Sequence, residues 1–286
     1  MTSAASPVLT LNNGVTMPQL GLGTWPLKGT DAQHAVSAAL TDGYRLIDTA
    51  AVYGNEDAVG RGIRESGLDR QDVFVTTKLH GVSHGYDHAL RALDASLAEL
   101  GLDYVDLFLI HWPLPAQDLY VPTWRAFAKA LADGHARAIG VSNFKPSHLD
   151  RLIDETGTVP AVNQIQLSPL TAQAGLRQYH RGHGILTQSW SPLGKGTDLL
   201  VHPVITGLAA KYGRTAGQIV LRWHIELGLS AVPKSGNTER IKGNIDIFDF
   251  TLAPHEVEAI TALDTGAHQP ADSDAVQPGL KGSGPR

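Results

Sequence analysis

Cysteine is absent from the 286-residue sequence. Its absence excludes disulfide bonds, thiolate zinc sites and thiol nucleophiles together. Long apolar runs are absent as well. None approaches the roughly 18 consecutive residues that cross a bilayer, and the N-terminal segment MTSAASPVLT has neither the basic region nor the apolar stretch of a secretory signal. We therefore expect a cytoplasmic protein without a membrane partner.

Charge of one sign is also scarce. Charged residues make up 18% of the chain, the formal net charge is -5, and no block of like charges occurs. This mild acidity argues against nucleic acid or an anionic membrane surface as the main partner. The hydrophobic residues make up 42% of the chain, as in an ordinary soluble enzyme. We also expect the protein to be a monomer.

Short apolar runs alternate with longer segments of helical spacing along most of the chain. Eight such runs predict strands at residues 19–23, 44–48, 73–79, 105–111, 136–142, 161–167, 185–190 and 230–234. A helical segment follows each run, and several of these segments stop at a glycine. Eight buried strands separated by crossover helices in about 250 residues predict an α/β fold, the (β/α)8 TIM barrel.

Two segments lie outside this alternation. In LTLNNGVTM, Asn13-Gly14 stands between alternating apolar residues and predicts a type I′ hairpin that caps the barrel floor. Beyond residue 265 the chain is rich in Pro, Gly and Ser, which predicts loop or disorder and a candidate flap. We expect one domain over residues 1–286, with a core at about 8–264 and a tail at 265–286.

Polar and aromatic side chains mark the C-terminal ends of seven consecutive predicted strands, where active sites of such barrels gather. They are Asp48, Lys78, His111, Ser142, Asn143, Gln164, Trp190 and Lys234. Each alone fits a capping or rim residue, because polar groups appear wherever strands leave a core. Asp48 and Lys78 also fit a structural ion pair, Tyr53 a packed aromatic and His111 a core histidine.

Eight short motifs stand in a recognisable order. They are GLGTW at 21–25, DGYRLIDTAAVYGNE at 42–56, TTKL at 76–79, LIHWP at 109–113, GVSNF at 140–144, NQIQLSP at 163–169, SPLGKG at 191–196 and VPKSGNTERIKGN at 232–244. With this set the chain resembles the aldo-keto reductase family, and within it the prokaryotic group that includes the 2,5-diketo-D-gluconic acid reductases. The resemblance covers about residues 8–264.

The resemblance implies hydride transfer between NADPH and the carbonyl carbon of a small-molecule substrate, with a catalytic tetrad of Asp48, Tyr53, Lys78 and His111. Tyr53 is the implied general acid. A free tyrosine titrates near 10, and a cation within about 4 to 6 Å can lower the pKa of such a phenol by about 1 to 3. We therefore expect Lys78 to bring the pKa of Tyr53 towards the working pH. Asp48 is expected to keep Lys78 charged, and His111 to orient the substrate carbonyl.

The stretch GLGTWP at 21–26 allows another interpretation, a Rossmann fingerprint with Asp48 as the ribose-binding acid. Pro26 stands where the third glycine is needed, which argues against it. Barrel enzymes commonly hold phosphate with the loops after strands 7 and 8 instead. The resemblance implies three sets of contacts for the cofactor. The nicotinamide contacts Thr24, Ser142, Asn143, Gln164 and Trp190, and the pyrophosphate lies along Ser191, Leu193 and Lys195. The adenosine end contacts Lys234, Ser235, Arg240 and Asn244. Two cations and a hydroxyl suit a 2′-phosphate and favour NADPH over NADH.

The expected walls of the substrate pocket are Trp25, His80 and Trp112, beside the tetrad. His80 stands where the family frequently has a bulky aromatic residue. This smaller, polar side chain predicts room for hydroxylated or dicarbonyl substrates. Gln166 and Ser168 also depart from the acidic and histidine residues often found there, so the strand-6 loop is less well defined.

A metal site is the other interpretation of HGVSHGYDH. His80, His84 and His88 recur at intervals of four and on one continuous helix would share a face. Gly81 and Gly85 interrupt such a helix, so a loop and a first helical turn are the preferred interpretation, with no metal.

Two other functions stay open. The same family includes nicotinamide-binding barrels that act as regulatory subunits of ion channels with little turnover. A lysine Schiff-base lyase that uses Lys78 is the second, and it is disfavoured because a lysine beside Asp48 stays protonated and is a poor nucleophile.

Overall fold

The computed structural model describes residues 6–277 of the protein. Within this range, strands β1 (Val8–Thr10) and β2 (Thr16–Pro18) pair as an antiparallel hairpin. The strands that follow are β3 (Leu22–Gly23), β4 (Leu46–Asp48), β5 (Phe74–Leu79), β6 (Val105–Ile110), β7 (Ala136–Ser142), β8 (Val162–Gln166), β9 (Leu186–Trp190) and β10 (Ser230–Ala231).

Strands β3 to β10 form one parallel sheet, in which each strand pairs with its neighbours in chain order. Bridges between Leu20 and Ala231 and between Gly23 and Lys234 join the first strand to the last and close the sheet. The predicted TIM barrel is therefore confirmed. Strand β10 is shorter than predicted because Pro233 has no N–H to donate to a ladder.

Helices cover the outside of the barrel. They are α1 (Gly29–Thr41), α2 (Glu56–Glu65), α3 (Tyr86–Leu100), α4 (Tyr120–Ala132), α5 (Pro146–Thr156), α6 (Ala174–Gly182), α7 (Pro203–Tyr212), α8 (Ala216–Glu226), α9 (Thr238–Ile245) and α10 (Pro254–Thr261). In α3, Ala89, Leu93 and Leu97 are buried at intervals of four, which is the spacing of one helical face. Across residues 6–277, no helix combines the length and apolarity that a bilayer crossing demands.

Glycine ends two of these helices as predicted. Gly101 after α3 and Gly157 after α5 have φ of 66° and 68°, in the left-handed region that favours glycine. Each therefore turns the chain away from the helix towards the next strand.

The strands bring the acid and the lysine of the tetrad to one level. Strand β5 is buried along its whole length, because helices cover one face and the barrel interior the other. Asp48 pairs in register with Thr76, and Lys78 lies two residues further along the same strand. Side chains two residues apart share a face, so Lys78 stands just above Asp48 inside the barrel mouth.

The N-terminal hairpin is present, but its predicted type I′ turn is wrong. A type I′ turn needs positive φ at both central residues, and of this pair only Gly14, at 86°, has it. The loop instead spans five residues, closed by hydrogen bonds between Leu11 and Val15 and from Gly14 to Leu11. Asn13 serves another purpose: its Nδ2 donates to the Arg137 carbonyl at 2.9 Å, which ties the turn to the barrel floor.

The described part of the tail, residues 265–277, is irregular but packed, so the alternative of disorder is wrong there. Ser273 is only 2% exposed. Lys145 Nζ contacts Asp272 Oδ1 and Asp274 Oδ2, each at 2.6 Å, and His148 Nε2 lies 3.0 Å from Asp274. These ion pairs hold the described part of the tail against helix α5 and the residue before it. The rest of the predicted tail, residues 278–286, lies outside the described residues.

Candidate active site

A short turn after strand β4 positions Tyr53. Residues 51–53 form one 3₁₀ turn, which ends because Gly54 takes a left-handed backbone at φ 55°. Behind the turn, Asn55 is fully buried and accepts a hydrogen bond from the Thr49 hydroxyl at 2.8 Å. The chain that leaves the sheet after β4 is thus folded back over the mouth of the barrel with the phenol facing inward.

The Lys78 ammonium lies at the centre of the site, and none of the side chain is exposed. Its Nζ donates to Asp48 Oδ1 at 2.5 Å and to the Thr49 carbonyl at 2.8 Å, and lies 3.5 Å from the Tyr53 phenol oxygen. Gln164 Nε2 donates to the other carboxylate oxygen of Asp48 at 2.7 Å. The predicted ion pair and its approach to Tyr53 are therefore both present.

The pKa values correct one expectation. Burial raises the pKa of Tyr53 above its ordinary value, and the charge of Lys78 lowers it only part of the way back. Lys78 therefore acts in the expected direction, but desolvation of the phenolate has the larger effect and the net pKa of Tyr53 is raised. Burial alone would lower the pKa of Lys78, but the charges of Asp48 and Tyr53 raise it instead. At neutral pH the site holds a protonated phenol beside a charged ammonium.

His111 follows strand β6 and faces Tyr53, with ring centroids 5.8 Å apart and planes at 77°. Burial, followed by the nearby charges of Lys78 and His80, places the pKa of His111 well below its ordinary value. The imidazole is therefore neutral at neutral pH. It can offer one N–H donor beside the phenol without adding a positive charge.

A cavity of about 410 Å³ opens at this end of the barrel. Predicted residues make up much of its wall: Thr24, Trp25, Asp48, Tyr53, His80, His111, Trp112, Ser142, Asn143, Gln164, Trp190, Ser191, Leu193, Lys195 and Lys234. Four predicted residues do not line it. Lys78 is fully buried behind the phenol, and Ser235, Arg240 and Asn244 belong to the loop after β10 and to α9.

Several lining residues were not singled out from the sequence. Val52 lies inside the motif at 42–56, and Leu114 directly follows the motif at 109–113, so their positions in or beside recognised motifs were the available signal. Val276 and Gln277 belong to the tail, which was predicted as a candidate flap without naming individual residues, and they line the same cavity. Gln166 Oε1 accepts from the Ala271 backbone N–H at 3.0 Å, which fixes the tail beside the cavity.

A hydrogen-bonded wall joins the polar residues predicted to meet a nicotinamide. Asn143 has a left-handed backbone at φ 64°, which asparagine tolerates better than most residues. Its Nδ2 donates to the His111 carbonyl and to Ser142 Oγ, each at 3.0 Å, and its Oδ1 accepts from Trp190 Nε1 at 2.8 Å. The Ser142 hydroxyl donates to the backbone carbonyl of Gln164 at 2.8 Å. Both hydrogens of the Asn143 amide are already donated within the protein. Asn143 can therefore donate to a ligand only if one of these two hydrogen bonds is broken.

The loops after β9 and β10 form a basic end of the site. The Lys195 ammonium lies 4.3 Å from the centroid of the Trp25 ring. Arg240, in the first turn of α9, donates from Nε to Ser235 Oγ at 3.4 Å. Lys195, Lys234 and Arg240 are all exposed. Exposed cations next to a helix N-terminus suit phosphate groups.

The three histidines of HGVSHGYDH do not share a helix, as predicted. His80 caps the 3₁₀ turn Gly81–Ser83, accepting at Nδ1 from the Val82 N–H at 3.2 Å, and helix α3 begins only at Tyr86. Within residues 6–277, no three His, Cys, Asp or Glu side chains gather in a way that could hold a metal ion.

Comparison with known proteins gives consistent matches. The model of the aldo/keto reductase family matches residues 19–265. An aldo-keto reductase of Mycobacterium sp. (strain KMS) is 52% identical over 92% of this chain and 95% of its own. Morphine 6-dehydrogenase of Pseudomonas putida is 48% identical over 94% of this chain and 96% of its own. The crystal structure of a Gox0644 mutant in complex with NADPH has a TM-score of 0.91 at 42% identity, covering 96% of this chain and 100% of that chain.

Proposed function

The chain belongs to the aldo/keto reductase family, and we propose that it reduces aldehydes, ketones or dicarbonyls to alcohols with NADPH, Tyr53 serving as the general acid. As an NADP-dependent oxidoreductase it needs a proton donor and a site for the carbonyl oxygen. The observation that carries the proposal is the Tyr53 phenol oxygen, which faces the cavity 3.5 Å from a buried, charged Lys78.

The proposed roles follow from this geometry. A substrate carbonyl oxygen in the cavity accepts hydrogen bonds from the Tyr53 phenol and from the neutral His111 ring. When bound, NADPH supplies the hydride that reduces the carbonyl carbon. As negative charge grows on the oxygen, Tyr53 gives up its proton, and the phenolate that remains is stabilised by Lys78. Asp48 keeps Lys78 charged throughout, since a lone buried ammonium would lose its proton.

The residues present fit the dinucleotide. Gly217 in α8 lies close to Asn244 and Leu193, since an added Cβ would be 3.9 Å from Asn244 Oδ1 and 4.0 Å from Leu193 Cδ2. The resemblance implies that the adenine binds beside Asn244. Lys234 and Arg240 would meet the 2′-phosphate with Ser235 between them, and Trp190 would stack on the nicotinamide. NADPH complexes of relatives such as Gox0644 support this assignment.

The test is NADPH oxidation with methylglyoxal, phenylglyoxal and simple aldehydes, repeated with NADH. We expect turnover that is faster with NADPH. Tight NADPH binding without turnover of any carbonyl would refute the enzyme proposal and favour the regulatory barrel. Trapping of a substrate adduct on Lys78 by borohydride would favour the lyase.

The pH dependence of reduction follows from the pKa directions. The acid form of Tyr53 is needed, and its pKa lies above the ordinary tyrosine value, so kcat is expected to stay flat from about pH 6 to about pH 9 and to fall only in strong alkali. His111 is already neutral across this range and adds no step. A pH profile of kcat at saturating NADPH measures this. A fall centred near pH 7 would contradict the assigned acid.

We further propose that the substrate preference is that of the 2,5-diketo-D-gluconic acid reductase-like group, with His80 as the accommodating wall. Its Nδ1 accepts from Val82, so the proton is on Nε2, and the ring lines the cavity. Replacing His80 with Trp should lower kcat/KM for phenylglyoxal by about tenfold relative to a small aliphatic aldehyde, because the larger ring fills the pocket. His80→Gln, which keeps a small polar wall, is the matched control. An unchanged ranking of substrates in His80→Trp would contradict this role.

We also propose that the chain acts as a single domain and a monomer. One barrel accounts for every strand from β3 to β10, and the tail packs back on it. Gel filtration at several concentrations tests the monomer, since association would shift the elution volume.

A further inference from the structure

A row of buried polar side chains crosses the barrel below the cavity. Gln164 of β8 pairs in register with Gln188 of β9, which pairs in register with Ser230 of β10. Parallel neighbours in register point to the same face, so all three side chains enter the barrel interior at one level. Gln188 and Ser230 are each 0% exposed and Gln164 is 2% exposed. The row continues to Asp48 through the bond from Gln164.

The hydrogen bonds in this row fix the orientation of the Gln164 amide. Its Nε2 donates to Asp48 Oδ2 at 2.7 Å and to Gln188 Oε1 at 2.6 Å. The Gln188 Nε2 donates in turn to Ser230 Oγ at 3.0 Å. A turned-over Gln164 would place its oxygen against two acceptor oxygens, which is unfavourable in a dry interior. The observed orientation is therefore the one that the neighbours impose.

Among residues 6–277, one group of the Gln164 side chain has no hydrogen-bond partner. An amide has two N–H donors and one oxygen, and both donors are already used inside the barrel. Gln164 lines the cavity, so its Oε1 is the atom available to a ligand. An amide oxygen recognises a donor such as the NH₂ of a carboxamide.

We propose that Gln188, supported by Ser230, is a positioning residue that holds the Gln164 oxygen ready to accept a hydrogen bond from the carboxamide NH₂ of the nicotinamide. The inference rests on the proposed function and on the contact between Gln164 and the nicotinamide that the resemblance implies. Gln188 does not line the cavity and acts only through Gln164. Without its Oε1, one Gln164 N–H is buried without an acceptor, and the amide is held by Asp48 alone.

The experiment measures binding by calorimetry, with NADP⁺ and with its 3-acetylpyridine analogue, in which a methyl group replaces the carboxamide NH₂. The unaltered protein should bind NADP⁺ about fivefold to tenfold more tightly than the analogue, as one neutral hydrogen bond allows. Gln188→Met is similar in volume but lacks the acceptor oxygen. It should raise the Kd for NADP⁺ by about that factor and leave the Kd for the analogue within about twofold of its value in the unaltered protein. The variant should thus lose its discrimination between the two ligands.

Two further variants keep the test decisive. Gln188→Glu retains an oxygen facing Gln164, and its Kd for NADP⁺ should stay within about twofold of that of the unaltered protein. Ser230→Ala makes only a small change in volume and should lose discrimination in the same direction but by less. Thermal unfolding followed by circular dichroism identifies any variant whose fold is impaired.

The outcomes separate the inference from the function on which it rests. Equal weakening of both ligands in Gln188→Met, or no weakening of either, would overturn the positioning role while the proposed function stands. Failure of the unaltered protein to bind NADP⁺ at all would overturn the proposed function and this inference with it. Loss of discrimination in Gln188→Met, with rescue in Gln188→Glu, is the result that we expect.

Discussion

Replacing Tyr53 with phenylalanine is expected to reduce kcat for carbonyl reduction by about 10³-fold, within the range of about 10² to 10⁴ that a positioned general acid contributes. The change removes one oxygen and leaves the ring in contact with His111. Lys78 keeps Asp48, its principal partner, at 2.5 Å, so the ion pair survives. What is lost is the only protonated oxygen of the tetrad that faces the cavity.

Single-turnover kinetics together with the Kd for NADPH check this expectation. The affinity for NADPH should stay within about threefold, because the phenol is not among the proposed cofactor contacts. The unfolding free energy should change little, since the ring stays in place and Lys78 keeps its bond to Asp48. A Tyr53→Phe protein that reduces carbonyls at the rate of the unaltered protein would refute the general-acid assignment. Loss of NADPH binding in step with activity would instead indicate a damaged site.

The barrel was predictable because its signals are local. Strands such as VDLFLI are apolar apart from one residue, Asp106, as expected of a sheet covered on both faces, and several helices between the strands end at glycines with left-handed φ. The hairpin turn was not predictable in detail. Its loop is set by Asn13, which bonds to the distant Arg137 carbonyl rather than forming the type I′ turn that its sequence favours. Tertiary contacts outweighed local preference there.

The members of the tetrad were predictable from motifs, but their energetics were not. The predicted strand ends indicated which residues lie close together, and the resemblance identified them as a tetrad. The direction in which the pKa of Tyr53 is shifted, however, depends on how fully the phenol is desolvated. The proposed role of Gln188 could not be predicted from the sequence either. Its importance arises from register pairing with Gln164 and Ser230, which brings together residues 24 and 42 positions apart. Such pairings exist only once the barrel closes.

Replacing Lys78 with methionine is expected to have two large effects. The carboxylate of Asp48 would stay buried without a cation, and breaking a buried ion pair by removing one partner lowers the free energy of unfolding by about 3–5 kcal/mol. The pKa of Tyr53 is already raised by burial, and without Lys78 nothing opposes that rise. Proton donation should therefore fail, with kcat falling about as far as in Tyr53→Phe, by about 10³-fold.

The double variant Asp48→Asn with Lys78→Met separates these effects. Removing both charges leaves no unpaired ion in the interior, so urea unfolding should show part of the lost stability restored relative to Lys78→Met. The amide of the introduced asparagine can still accept a hydrogen bond from Gln164, which in the unaltered protein donates to Asp48 at 2.7 Å. Activity should stay at the level of Lys78→Met, because a neutral pair cannot stabilise the phenolate that proton transfer leaves behind. Recovery of activity together with stability would show that the pair only supports the fold, and the electrostatic role assigned to Lys78 would then be wrong.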